Sequence, residues 1–242
     1  ALKLIGIPAV IFDRASEGFE GPWVTTARME TLRSPKQLTG PALGLPSLTF
    51  RAWFEAQFGL AQWEALDKIP RTQWMDYLRW YRRVLSLDIR NECEVLRVTP
   101  RADQLVELEI SSSKGCEIVL TRRLVLATGR DGLGGAYVPD IAKMLPRDLW
   151  AHSSDPFDYN RLKGKRVGVV GAGASAMDSA ATALEAGALS VDMLIRRDDL
   201  PRINKGKGAG NAGMVHGFMS LPENWKWRIR HYLGTQQVPP PR

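Results

Sequence analysis

The sequence predicts an α/β protein with two Rossmann-like βαβ units, the first incomplete, and a small β-rich insertion. Three observations lead there. Val167-Gly168-Val169-Val170-Gly171-Ala172-Gly173-Ala174-Ser175-Ala176 sets a G-x-G-x-x-A sequence directly after a strand-like run and at the head of an Ala-rich helical run. Ile7-Pro8-Ala9-Val10-Ile11-Phe12-Asp13 is a second short apolar run that ends in an acid, as a buried parallel strand does. Between them, residues 91–127 alternate apolar and polar side chains with the period of a sheet.

The elements follow in order. Leu2 to Gly6 reads as the tail of a helix, with Gly6 as its stop, and Ile7 to Asp13 as a strand. Arg14 to Leu48 is rich in Gly and Pro and reads as a loop. From Thr49 to Leu87 the pattern is helical. Phe50, Trp53, Phe54, Gln57 and Phe58 share one face, and Trp74, Tyr77, Leu78, Tyr81 and Leu85 share another after Pro70. This aromatic stripe reads as core rather than as a cofactor box. Four strands are expected next, around Val95 and Val98, over Leu105–Ile110, over Glu117–Leu120 and over Leu124–Ala127, with a turn at Ser111–Gly115. A looser stretch, 128–162, leads to a strand at Arg166–Val170, a helix at Ala174–Ala186 stopped by Gly187, and a strand at Ser190–Ile195. The tail from Arg202 reads as loop plus one short Trp-containing helix.

The glycine sequence has a physical logic. Gly171 permits a tight turn, Gly173 lets backbone amides approach a pyrophosphate, and Ala176 lets the helix pack close to the strand. Ala174 and Ser175 open the helix, whose free N–H groups and partial positive charge suit phosphates. This is the pattern of a dinucleotide site. Such a site for NAD carries an acid about 20 residues on; here the second strand ends in Ile195-Arg196-Arg197, and arginine suits the 2′-phosphate of NADPH. Asp13 sits where the ribose acid of another such unit belongs. Its own glycine sequence would fall before Ala1, so the first domain is expected to lack its first strand and glycine loop, the second to be cut short at its C-terminal end, and residues 1–242 alone to bind FAD poorly.

Composition bounds the function. Of 242 residues, 44% are hydrophobic and 24% charged, ordinary for a globular chain, and no apolar run is long enough for a membrane helix. No signal peptide is evident, and the two cysteines, Cys93 and Cys116, fit neither a CxxC redox pair nor a metal pattern, so a cytoplasmic protein with reduced thiols and no metal is expected. The net charge of +7 is scattered rather than clustered, which argues against nucleic acid as a partner.

The stretches IFDRASEGFEGPW, METLRSPKQL, LVLATGRDG, LWAHSSD and GKRVGVVGAGASAMD resemble class B flavin-dependent monooxygenases, the group of flavin-containing monooxygenases, Baeyer–Villiger monooxygenases and N-hydroxylases. The resemblance implies FAD and NADPH as cofactors, with O2 and a small organic molecule as substrates. It implies a FAD-binding domain over residues 1–160 that carries the insertion at about 91–127, and an NADP-binding domain over 161–242. It places Asp13, with Arg14 beside it, at the FAD ribose, Gly21 and Trp23 in a turn near the flavin, the Val95 backbone beside adenine, and Thr128-Gly129 where the two cofactor domains join. One departure stands out. The F-x-G-x-x-x-H signature of the group would need Phe and Gly where this chain has Pro146 and Asp148, and only His152-Ser153 is kept. No catalytic residue is named, since the cofactors carry the redox chemistry. Two alternatives stay open: an NADPH-dependent flavin reductase without oxygen transfer, and a non-catalytic dinucleotide-binding protein.

Overall fold

Aromatic side chains at helical spacing have one way to leave water together, and the helical segment is built on it. The computed structural model describes residues 1–129, 135–196, 198 and 217–237. Helix α1, Phe50–Phe58, starts at Thr49, whose Oγ1 accepts from the Ala52 N–H at 3.2 Å. Gly59, at φ 85°, ends it and opens the short α2, Leu60–Ala65. Helix α3, Arg71–Val84, follows Pro70.

Phe50 and Tyr77 are fully buried, and Trp53, Phe54, Trp63 and Trp74 nearly so. The Phe50 ring meets Tyr77 edge-on at 5.5 Å between centroids, and lies 5.6 Å from both Trp53 and Trp74. The expected face is therefore core, except at its end: Gln57 and Phe58 are exposed where Gly59 breaks the helix. The Tyr77 hydroxyl donates to the Leu48 carbonyl at 2.7 Å. Gly40, at φ 72°, passes so close that a Cβ there would lie 2.6 Å from this hydroxyl. The stretch read as loop is thus held at several points. The Leu32 N–H donates to Ile69 O at 2.7 Å, the Arg71 N–H to Glu30 O at 3.0 Å, and Lys36 Nζ to Trp63 O at 2.7 Å.

The described strands form three small sheets. β1, Ile11–Phe12, pairs in parallel with β2, Ile89–Arg90. β3, Glu94–Pro100, β4, Val106–Ser112, and β5, Gly115–Thr121, make an antiparallel meander with β4 in the middle. β6, Arg166–Val170, pairs in parallel with β7, Ser190–Leu194, and α5, Ala174–Glu185, crosses between them. Helix α4, Asp140–Lys143, is one turn long, and α6, Glu223–Gln237, carries the Trp-containing segment of the tail. The architecture is mixed α/β. Each parallel pair has only two strands among the described residues, so neither makes a full Rossmann sheet.

Several boundaries differ from the sequence expectation. The Leu2–Gly6 helix is a single 3-10 turn, Leu2–Ile5, closed by Gly6 in the left-handed region. The strand over residues 7–13 shrinks to Ile11–Phe12. Its one neighbour among the described residues is the two-residue β2, and Ile7, Val10 and Ile11 remain exposed. Leu124–Ala127 is not a strand: no ladder runs beside it among the described residues, and Val125 and Leu126 are 71% and 73% exposed. In β3 the odd spacing of Val95 and Val98 is absorbed by a bulge between Val95 and Arg97. Val95 thereby pairs with Ile110 and Val98 with Leu108, the two buried residues of β4.

The chain divides into two compact units. One holds Ala1–Thr25 and Leu78–His152, the other Thr26–Tyr77 and the residues from Ser153 onward. In the second unit, Tyr77→Phe leaves the Leu48 carbonyl without its buried donor. We expect a loss of about 1–3 kcal/mol in urea unfolding; an unchanged midpoint and slope would show that water reaches this carbonyl.

Candidate dinucleotide sites

The turn between β6 and α5 shows why each small residue is there. β6 and β7 run in register from Arg166 opposite Ser190 to Val170 opposite Leu194, and the Gly171 N–H extends the ladder by donating to Leu194 O at 3.0 Å. The chain must then leave the sheet at once. Gly171 does so at φ 130°, a conformation L side chains rarely adopt, and a Cβ built on it would lie 3.5 Å from the Ala176 Cβ. Gly171 and Ala176 therefore face each other across the strand–helix corner. Gly173 differs. Its φ of −82° and ψ of 171° are open to any residue, so backbone strain does not demand glycine there. A Cβ on Gly173 would meet nothing within 4 Å among the described residues, so there is room around this backbone.

Gly173 is the N-cap of α5, and no side chain caps it among the described residues. The N–H groups of Ala176 and Met177 turn back to Gly173 O, at 3.0 and 3.1 Å. Ala174 is half-buried, Ser175 exposed, and no acid lies in the first turn. An uncapped helix start with open space before it is a surface that phosphate oxygens can satisfy. Behind it, Ala180 and Ala183 are buried on the inner face of α5. Gly187, at φ 89°, ends the helix, and the Gly164 N–H donates to its carbonyl at 2.8 Å. Arg196 follows β7 and is exposed; Arg197 lies outside the described residues.

The second set of expected residues belongs to the other unit. Asp13 follows β1; its N–H donates to Arg90 O and its carbonyl accepts from the Cys93 N–H, both at 3.0 Å. Its Oδ1 also accepts from the Ala15 N–H at 2.8 Å, which makes Asp13 the pivot of an Asx turn. One carboxylate oxygen is thus committed to the turn. Arg14 beside it is exposed. The Cys93 contact brings the start of β3 against Asp13, and Val95 lies two residues along. Gly21, at φ 74°, turns the chain toward Trp23, whose ring a Cβ at 21 would touch at 3.8 Å. Thr25 closes this turn through its Oγ1 to Gly21 O at 2.9 Å. Thr128 is exposed, Gly129 sits at φ 63°, and no hydrogen bond ties either to the Asp13 turn among the described residues.

Nothing local in the sequence marks what holds residues 13–20 in place. Glu20 Oε1 accepts from Arg82 Nη1 at 2.6 Å and from Asn91 Nδ2 at 2.7 Å, while its Oε2 accepts from the Gly18 N–H at 2.9 Å. Arg79 Nη2 donates to Gly18 O at 2.7 Å, and Asn91 to Ala15 O at 3.0 Å. Glu20 and Arg82 are about one-fifth exposed, so the pair is shielded well enough to matter. The available signal was indirect: Arg79 and Arg82 are three apart on α3, and share a helix edge.

A concavity of about 430 Å3 lies elsewhere, lined by Asp103, Gln104, Leu105, Arg122 and Arg123. It holds none of the expected site residues. Its Asp103 carboxyl is held below the usual carboxylate range, first by the hydrogen bond from Arg101. Among the described residues no group of three or more His, Cys, Asp or Glu could hold a metal, and no helix is long and apolar enough to cross a membrane.

Comparison with known proteins gives these arrangements a context. The family described as L-lysine 6-monooxygenase/L-ornithine 5-monooxygenase matches residues 49–236. The chain is 46% identical over 232 residues to a FAD-dependent urate hydroxylase of Xanthomonas campestris pv. campestris; the match covers 95% of this chain and 49% of that protein. It thus spans about half the length of that relative. Its fold is similar to that of the reduced ornithine hydroxylase of Pseudomonas aeruginosa, at a TM-score of 0.69 and 18% identity, covering 98% of this chain and 59% of the other. It is also similar to the FAD-bound cadaverine monooxygenase of Erwinia amylovora, at 0.68 and 20% identity, covering 95% and 55%.

The two glycines of the β6–α5 turn are expected to separate by experiment. Gly171→Ala forces a side chain into a strained backbone and should cost about 1–3 kcal/mol in thermal unfolding. Gly173→Ala should cost less than about 1 kcal/mol. Equal losses would mean that the open space at Gly173 is filled in solution.

Proposed function

The chain belongs to the L-lysine 6-monooxygenase/L-ornithine 5-monooxygenase family, and from that premise we propose that the whole protein is a FAD- and NADPH-dependent monooxygenase that places one oxygen of O2 in a small organic substrate. The observation that carries the reading is the β6–α5 corner: a glycine at φ 130°, an alanine 3.5 Å from its would-be Cβ, and an uncapped helix start facing open space. These residues fit a dinucleotide, because the backbone can approach a pyrophosphate there without displacing a side chain. We propose a FAD-binding part over residues 1–160, with the insertion at about 91–127, and an NADP-binding part over 161–242; residues 26–77 of the first part belong to the same compact unit as the second.

The roles of the chain follow from charge and reach. Residues 173–176 present the helix N-terminus to the pyrophosphate of NADPH, and Arg196 with Arg197 pairs the 2′-phosphate. Asp13 offers its remaining carboxylate oxygen to the FAD ribose, with Arg14, Gly21, Trp23, the Val95 backbone and Thr128-Gly129 along the rest of the cofactor. The Glu20–Arg82–Asn91 cluster keeps the Asp13–Trp23 turn in shape. Bound FAD and NADPH supply the electron transfer and the activation of O2; the protein orients them and excludes water. Identity of 46% over 95% of the chain favours a substrate of the urate kind, a planar nitrogen heterocycle, over a side-chain amine.

A reductase that moves electrons without transferring oxygen is the second reading, favoured by Pro146 and Asp148 ahead of His152, where the group's signature has Phe and Gly. Oxygen stoichiometry separates the two. With urate, L-ornithine or L-lysine present, a monooxygenase makes one oxygenated product per NADPH oxidised. Recovery of all the consumed O2 as hydrogen peroxide with every substrate would overturn the first reading.

Coenzyme choice gives a further test. Replacing Arg196 and Arg197 by alanine should weaken NADPH binding about tenfold to a hundredfold and leave NADH binding unchanged, as loss of a charge-assisted phosphate contact does. An unaltered preference in titration calorimetry would remove these arginines from the site.

A further inference from the structure

Arg33 reaches from the chain segment before α1 to the first turns of α5. Its Nη2 donates to Asp178 Oδ1 at 2.7 Å and Oδ2 at 2.6 Å, and to the Ala174 carbonyl at 3.3 Å. The base of this arm is fixed. Leu32 on one side is hydrogen-bonded to Ile69, and Thr31 bridges Pro70. The target rises from the second turn of α5, where the Asp178 backbone carbonyl accepts from Thr182 Oγ1 at 2.8 Å. Asp178 is mostly buried, with 21% of its side chain exposed, against 37% for Arg33.

Asp178 lies five residues beyond Gly173, roughly 7 Å along the helix axis. Its carboxylate alone suits the positive end of a helix, but it also places a negative charge close to where phosphates would lie. Arg33 cancels that charge at contact distance. The Ala174 carbonyl, which accepts from the same nitrogen, belongs to the first residue of the helix, so the positive charge lies beside its first turn.

We propose that Arg33 is a positioning residue for coenzyme binding: it acts through Asp178 to keep the N-terminus of α5 attractive to dinucleotide phosphates. This rests on the reading of α5 as the NADPH phosphate site. The effect assigned to Arg33 is charge neutralisation, and it differs from mechanical tethering in a double-mutant cycle. A tether fails whenever either partner is lost. Neutralisation fails only when Arg33 is lost and Asp178 stays charged.

The experiment is calorimetric titration of NADP+ into the full protein and its Arg33→Met, Asp178→Asn and Arg33→Met/Asp178→Asn variants, at low and high salt, with thermal unfolding of each. Arg33→Met should weaken NADP+ about tenfold at low salt and less at high salt. Asp178→Asn should bind as well as the parent or better, and the double variant should regain most of the loss. Arg33→Lys, which keeps the charge, should stay near the parent. A double variant as weak as Arg33→Met, or an Arg33→Met variant that binds normally, would overturn the proposal. Should Arg33→Met not fold, the double variant decides alone, because neutralisation requires it to bind like the parent. A parent protein that binds no NADP+ would instead refute the reading of α5, and the proposal with it.

Discussion

Two strands that run side by side in the same direction cannot be joined by a turn. The chain must travel back the length of the strand first, and that requirement shapes both units of this protein. Between β6 and β7 the return is made by α5 alone, so the exit from β6 has to be abrupt. The strained Gly171 and the small Ala176 are consequences of that abruptness, and the uncapped helix start is its by-product. Between β1 and β2 the return takes residues 13–88 and carries the chain through the aromatic helices of the other unit. The same constraint thus yields a compact corner in one place and a long excursion in the other.

The long excursion needs anchors at its beginning, where the sheet offers almost none. β1 has two residues, and the chain after it is held by side chains instead. Glu20 collects Arg82, Asn91 and the Gly18 amide, and Asp13 holds its own turn through Ala15. Part of the net charge of +7 is therefore structural: Arg79 and Arg82 serve carbonyl and carboxylate groups of the chain itself. At the other unit Arg28 does similar work, donating from Nε to the Tyr159 hydroxyl at 2.8 Å and from Nη2 to Asp155 O at 3.2 Å. A basic composition here reflects internal bonding in part.

How much of this was legible in the sequence depended on the range of the physics. The β6–α5–β7 unit was legible because its signal is local: an apolar strand, two glycines and an alanine at fixed spacing. The aromatic core was legible for the same reason, through helical periodicity. What could not be read came from contacts far apart in the chain. β2 is a strand only because β1 lies beside it, and Leu124–Ala127, apolar but without a partner strand among the described residues, is none. The bulge at Val95–Arg97 hides in an odd spacing that reads as imperfect alternation until Ile110 and Leu108 are placed opposite. In the candidate sites, Gly173 was expected for reach, and a Cβ there meets nothing within 4 Å among the described residues. Glu20, Arg82, Asn91 and Arg33 were missed, since nothing local marks a charge whose partner is dozens of residues away.

The division of the chain also sets an order of assembly. The β3–β4–β5 meander closes over connections of a few residues, so its contacts form early and at small entropic cost. The helices around Phe50 need only the span from Leu48 to Tyr77. β1 can find its ladder only after residue 90 has been made, and the 26–36 segment can grip α5 only after residue 178. On a ribosome β1 therefore waits for Ile89 and Arg90 before it can pair. A strand is thus made long before the partner that secures it.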